Sequence, residues 1–83
     1  MEDLISLTEV LVKAIVKNPD SVKVKEFETD EENTMLIQVI VDESDMGSVI
    51  GKEGKIANSI RNIVQAASYT KENKRIRINI DSL

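Results

Sequence analysis

Cysteine, histidine and tryptophan are absent from this chain, and the absences remove whole classes of chemistry. Without cysteine there is no disulfide staple and no thiol nucleophile. With histidine gone as well, the usual zinc ligands and the usual general base are missing. Nothing that remains calls for a cofactor. Aromatics are almost absent too, since Phe27 and Tyr69 are the only two. The core must therefore come from Ile, Val, Leu and Met. In 83 residues such a core leaves a small surplus over chain entropy, which dimerisation would enlarge. The length holds one small domain, residues 1–83, with no room for a second core. No run is long and apolar enough for a signal peptide or a membrane span. The expected address is the cytoplasm, without membrane insertion.

What is present is unevenly charged. The net charge of -4 argues against nucleic acid when taken as an average. Residues 1–45 carry four lysines against twelve carboxylates. Residues 46–83 reverse the sign, with Lys52, Lys55, Arg61, Lys71, Lys74, Arg75 and Arg77 against Glu53, Glu72 and Asp81. A polyanion would meet the second half, and the acidic half would oppose indiscriminate coating.

The hydrophobic spacing sets the order of elements. Residues 3–17 read as a helix on Leu4, Leu7, Leu11, Ala14 and Ile15, widened by Ile5, Val12 and Val16. Asp3 can serve as its N-cap or first-turn acid, and Asn18-Pro19 ends it. Val22, Val24 and Phe27 mark a strand near 22–29, and Asp30-Glu31-Glu32-Asn33 a turn. Residues 35–41 are almost continuously apolar, which predicts a central strand covered on at least part of both faces. Ser44 or Asp45 is placed to cap a short helix through Ile50. The longest helix follows, with Ile56, Ile60, Ile63, Val64 and Ala67 on one side and Asn58, Ser59, Arg61, Asn62 and Gln65 on the other. After a turn at 71–74, residues 75–81 alternate strictly between isoleucine and polar or charged side chains. Adjacent strands joined by a tight turn pair antiparallel. A strand returning after a helical crossover pairs parallel. The expected fold class is α+β, helix-strand-strand-helix-helix-strand, with a three-stranded mixed sheet covered on one face by helices.

Between the short helix and the long one lies Val49-Ile50-Gly51-Lys52-Glu53-Gly54-Lys55-Ile56-Ala57. Two glycines let the backbone turn sharply and let a ligand approach it. A loop just ahead of a helix offers unpaired amides and the positive end of the helix dipole to an anion. Lys52 and Lys55 add mobile positive charge, and Arg61 lies further along the same helix. A phosphodiester backbone suits that surface. A nucleotide-hydrolysing phosphate loop does not: Gly47 and Gly51 enclose too few residues, and Glu53 stands where a magnesium-binding hydroxyl is needed. A dinucleotide fingerprint lacks its third glycine. Gly47 is read as permitting close packing, Tyr69 as a packing or interface residue, and Arg75 and Arg77 as solvated charges on the outer face of the last strand.

The stretch from Asp45 through Ala57, with Ile60-Arg61 one turn on, resembles a KH domain of type II. Among these it is most similar to the small stand-alone bacterial proteins of the KhpA-like family, over almost the whole chain. The resemblance implies an RNA-binding module, not an enzyme. Its GxxG loop, Gly51, Lys52, Glu53 and Gly54, would clamp the backbone of single-stranded RNA. Beside it an apolar groove would be walled by Val49, Ile50, Ile56, Ala57 and the central strand at Val39 to Val41. Lys55 and Arg61 complete the candidate contacts. Ser48 stands where many relatives carry a basic residue, and Glu53 places a carboxylate inside the loop. The resemblance further implies homodimers, pairing with a larger KH-domain-containing protein, RNA chaperone or post-transcriptional work, and in some bacteria a link to cell division, cell shape and cell wall growth. The competing reading is a protein-interaction subunit of KH shape that works through the wide apolar face of its first helix. Steep weakening of binding with salt marks the first reading, and indifference to salt the second.

Overall fold

The computed structural model describes residues 3–83, and the first of them already acts on the backbone. The Asp3 carboxylate accepts a hydrogen bond from the Ser6 amide at 2.8 Å and caps helix α1, Leu4–Lys13. That bond holds the Asp3 carboxyl below the usual carboxylate range. A single turn at Pro19–Ser21 leads into strand β1, Lys23–Phe27, and then β2, Thr34–Val41. Helix α2, Met46–Ile50, the glycine loop and helix α3, Lys55–Lys71, cross over to strand β3, Arg75–Ser82. The sheet order is β1-β2-β3, antiparallel between β1 and β2 and parallel between β2 and β3. This is the expected architecture, with β2 central. Among the described residues no helix is long and apolar enough to cross a membrane.

The core lies between the helices and one face of the sheet. Met35, Ile37, Val39 and Val41 point into it from β2, and Ile76 from β3. Leu4 and Val12 enter from α1, Val49 from α2, and Ile60 and Val64 from α3. Each is worth roughly 1.5–3 kcal/mol of transfer from water.

Several expectations need correction. The helix predicted to run to residue 17 gives way after Lys13, because the Lys17 and Asn18 amides turn to a different acceptor, the carboxylate of Asp45. Its buried stripe is Leu4, Thr8 and Val12, while Val10 and Ile15 stand exposed. Thr8 is tolerated in the core because its hydroxyl donates to the Leu4 carbonyl at 2.8 Å. Strand β2 is covered on one face only: odd residues are buried and even ones half-exposed. Phe27 is 48% exposed, since its odd separation from Val22 and Val24 puts it on the opposite face from them. On α3, Ile56 and Ile63 are exposed at 40% and 48%, because the buried phase runs through Ile60, Val64 and Ser68.

Asp45 does not cap α2 with its side chain. It is buried and accepts from the amides of Lys17 and Asn18 and from the Asn18 side chain, each at 3.0 Å. These donors, led by the Lys17 amide, hold its carboxyl below the usual range against the opposing effect of burial. Asp45 therefore ties the segment that follows α1 to the start of α2. The local capping falls to Asp42, which accepts from the Ser44 amide at 3.0 Å.

At the far end of the sheet, Asn33 and Asn73 both take left-handed backbone conformations. The Asn33 side chain donates to the Asn73 carbonyl at 3.0 Å, and the Arg75 amide donates to the Asn33 carbonyl at 2.9 Å. The two parallel strands thus begin from a shared knot.

Candidate nucleic-acid interface

The glycine loop is shaped by its two glycines in different ways. Gly51 has φ +77° and ψ 173°, a region open in practice only to glycine. A β-carbon there would collide with the Ile56 side chain and approach the Ile56 nitrogen to 2.9 Å. Gly54 is also left-handed, at φ +76°, but its surroundings are open, the nearest atom being Asn58 Nδ2 at 3.9 Å. Between them Glu53 takes φ +57°, and the Gly54 amide closes the turn onto the Gly51 carbonyl at 3.2 Å. A β-carbon added at Gly47 would meet nothing within 4 Å, so close packing does not explain that glycine.

Lys52, Glu53 and Lys55 are exposed on this turn. Among the described residues neither lysine forms an ion pair; the three salt bridges present lie elsewhere. The Gly54 and Lys55 amides are taken by the Gly51 and Lys52 carbonyls, so the lysine ammonium groups and the positive end of the α3 dipole are what the turn presents to water. Ile50 is half-buried and Ile56 exposed beside the loop. Val49 is fully buried, and so are Val39 and Val41. Those three belong to the core. The wall of apolar side chains expected from them is therefore reduced to Ile50, Ile56 and the half-buried Ala57.

Further along α3 the surface changes character. A groove of about 750 Å³ runs between α3 and the free edge of β3, lined by Arg61, Tyr69, Arg75, Arg77 and Asn79 among others. Arg61 lies about 9 Å along the helix from Lys55, and Tyr69 about 21 Å. Tyr69 is 65% exposed, so it is not a packing residue. Gln65 also lines the groove, but its amide is committed: it accepts from the Ile76 amide at 2.8 Å and donates to the Lys74 carbonyl at 2.9 Å. Buried Ser68 bonds the same Lys74 carbonyl at 2.7 Å. These two side chains hold β3 against α3 and give the groove its width. Arg77 is paired with Glu31 at 2.9 Å, both ends well exposed. Arg61 is the one groove residue that the sequence places at the site. The groove joins to it Tyr69, Arg75, Arg77 and Asn79, which sequence reasoning leaves as packing, interface or solvated residues. The available signal is the i, i+4, i+8 spacing of Arg61, Gln65 and Tyr69, a polar stripe on the helix that crosses over to β3.

Among the described residues, no three His, Cys, Asp or Glu side chains gather as a metal site. The loop and groove offer cations, amides and one accessible phenol ring, a set suited to binding an anionic chain with flat bases.

Comparison with known proteins agrees in kind. The family model described as "KhpA/KhpB, KH domain" matches residues 6–80. The chain is similar to the RNA-binding protein KhpA of Caldanaerobacter subterraneus subsp. tengcongensis, 43% identical over 74 residues, covering 89% of this chain and 95% of that protein. The RNA-binding protein KhpA of Aquifex aeolicus is 39% identical over 80 residues, covering 96% of this chain and 98% of that one. Among solved structures, Aquifex aeolicus Era bound to GDP and aluminium fluoride superposes with a TM-score of 0.71 at 19% identity, covering 96% of this chain and 30% of Era. Era in complex with MgGDPNP and a piece of 16S ribosomal RNA gives 0.69 at 19% identity, over 95% of this chain and 29% of that one. At that identity the likeness to Era concerns the fold.

Proposed function

The chain belongs to the KhpA/KhpB family of KH domains, and on that premise we propose that it binds single-stranded RNA, with the Gly51–Gly54 loop as the backbone clamp. It is a binding module and carries out no reaction of its own. The observation that carries the reading is the loop itself. Gly51 and Gly54 both adopt positive φ, and Lys52 and Lys55, neither in an ion pair among the described residues, stand at the head of a 17-residue helix. A phosphate seated there meets the positive end of the α3 dipole and the Lys52 and Lys55 ammonium groups together. Ile50, Ile56 and Ala57 support the adjacent sugar or base, and the α3–β3 groove receives the nucleotides that follow. Val49 acts from beneath by holding α2 in place.

A clamp of about four nucleotides with little stacking binds weakly. Useful affinity comes from doubling the site, by homodimerisation or by pairing with a larger KH-containing protein, which raises the effective concentration of the second clamp. In this reading the protein works in the cytoplasm as one KH module, as an RNA chaperone or post-transcriptional regulator. Its effects on cell shape and envelope growth follow from the RNAs it holds.

The test is binding of short fluorescent RNA and DNA single strands, beside a variant with Lys52→Asp and Glu53→Asp whose folding is checked by circular dichroism. Loss of binding in the folded variant, with steep salt dependence in the parent, supports the clamp. Equal binding by both proteins refutes it. A second reading, the interaction subunit, draws on exposed Val10 of α1 and exposed Ile15 just after it. It requires a complex that survives high salt and no RNA binding by the parent.

A further inference from the structure

The face of the sheet turned away from the helices carries side chains that the clamp does not use. Strand pairing arranges them in rungs across β1, β2 and β3. Lys23, Ile40 and Asp81 form one rung, and Lys25, Gln38 and Asn79 the next. Phe27, Leu36 and Arg77 follow, and Arg75 stands beside Thr34 beyond them. Two columns of cations, on β1 and β3, therefore stand about 10 Å apart, with an apolar and amide lane between them. Four cations face one carboxylate of the sheet, Asp81, on a chain whose net charge is -4. Glu31 leans in from the hairpin to pair with Arg77. Within the lane a hollow of about 510 Å³ is lined by Lys23, Lys25, Phe27, Gln38, Ile40 and Leu83.

We propose that this open sheet face is a second contact surface for single-stranded RNA, reached by a strand that leaves the α3–β3 groove and passes around the edge of β3. The groove itself makes the connection, because Arg75, Arg77, Asn79 and Leu36 of the open face line it together with Arg61 and Tyr69 of α3. Phe27, half-exposed, supplies the flat apolar surface on which a base stacks. Gln38 and Asn79, side by side on one rung, supply donors and acceptors for base edges. The flanking lysines and arginines take the phosphates. This mixture of ring, amides and cations favours RNA over an acidic peptide, which would need the cations and the apolar lane but not the paired amides. The inference rests on the RNA-binding reading above and extends it: the footprint exceeds the four nucleotides of the clamp.

Two fluorescent RNAs, of four and of twelve nucleotides, test it by anisotropy against the whole chain. The variants are Phe27→Ala with Lys25→Glu on the open face, and Lys52→Asp with Glu53→Asp in the loop. All altered side chains are exposed; should the first variant misfold by circular dichroism, Lys23→Glu with Lys25→Glu takes its place. The open-face variant is expected to leave four-nucleotide binding unchanged and to weaken twelve-nucleotide binding about tenfold. Unchanged binding of both RNAs by that variant overturns the proposal. So does a shift in the RNA-free chain's mass by analytical ultracentrifugation with twelve-nucleotide affinity intact, which identifies the face as a protein contact. A loop variant that binds both RNAs normally, beside an open-face variant that does not, refutes the clamp and leaves this surface standing. If the parent binds neither RNA, both readings fall.

Discussion

Ile37 and Gln38 are neighbours in the chain and live in different solvents. Ile37 lies wholly buried beneath the helices, and Gln38 opens onto the hollow of the outer face. The same alternation sorts β1, sending Val24 toward the core and Lys23, Lys25 and Phe27 outward. A strand of period two thus builds a core and a polar surface from one stretch of sequence. The division of charge between the two halves of the chain is only part of its electrostatics. Lysines from the acidic half cross β1 to join the arginines of β3, so a cationic face forms that no linear window contains.

The comparison breaks most visibly if a charge is moved one residue. Ile37→Asp buries an unpaired carboxylate in the aliphatic core, and a loss of about 4 kcal/mol or more is expected, roughly what buried charge without a partner costs. Gln38→Asp should stay within about 0.5 kcal/mol of the parent. Urea denaturation of both variants checks this, and equal losses would mean the open face is covered in solution.

The loop repeats the contrast between crowded and open at the level of single β-carbons. Gly51→Ala meets Ile56 as well as a forbidden backbone region, and about 3 kcal/mol of destabilisation is expected. Gly54→Ala meets only its left-handed φ, for about 1 kcal/mol. Thermal melts of the two alanine variants should rank them in that order; the reverse order would place the crowding at the wrong end of the loop.

Asp45 shows how a charge survives on the crowded side. Its folded carboxyl binds a proton less readily than the unfolded one, whose ordinary value is 3.8. Its stabilising contribution is therefore complete at neutral pH, begins to fall as pH drops toward 3.8, and is lost below the folded value. Asp45→Ala should lower the melting temperature at neutral pH on the order of 10 °C and flatten the acid limb of the stability profile. An acid limb identical to the parent's would remove Asp45 from the groups that sense it. The smallest effect belongs to Arg77→Ala. Its pair with Glu31 is exposed at both ends, so the stability change should be no more than a few tenths of a kcal/mol in a urea titration.

Sequence reasoning reads the element order, the mixed sheet and the glycine loop, because those rest on local spacing and on backbone needs that only certain residues meet. It misplaces what depends on phase and on long-range partners. Thr8 joins the buried stripe of α1 because its hydroxyl is satisfied within its own helix, which hydrophobicity alone does not register. Asp45 looks like a cap because its donors are 27 and 28 residues away in sequence. Val39, Val41 and Val49 fall beside the ligand as apolar neighbours of the loop, although apolarity also describes the core beneath it. Tyr69 and the β3 arginines join the groove only when the crossover lays α3 against the edge of β3.

The knot of Asn33 and Asn73 bears on the order in which the molecule is made. Strand β2 leaves the ribosome well before β3, and its parallel edge stays unpaired while α2, the loop and α3 are synthesised. An apolar strand in that state invites the wrong neighbour. Asn33 stands at the start of β2, and Asn73 just ahead of β3, where its carbonyl accepts the Asn33 side chain. Their meeting sets Thr34 against Arg75 and leaves every later rung in register. A slip of one residue would exchange the two faces, turning the arginines inward and the isoleucines out to water. The two asparagines act as a starting mark for a late-arriving strand, and their loss would be felt in the yield of correctly folded chains at synthesis before it was felt at equilibrium.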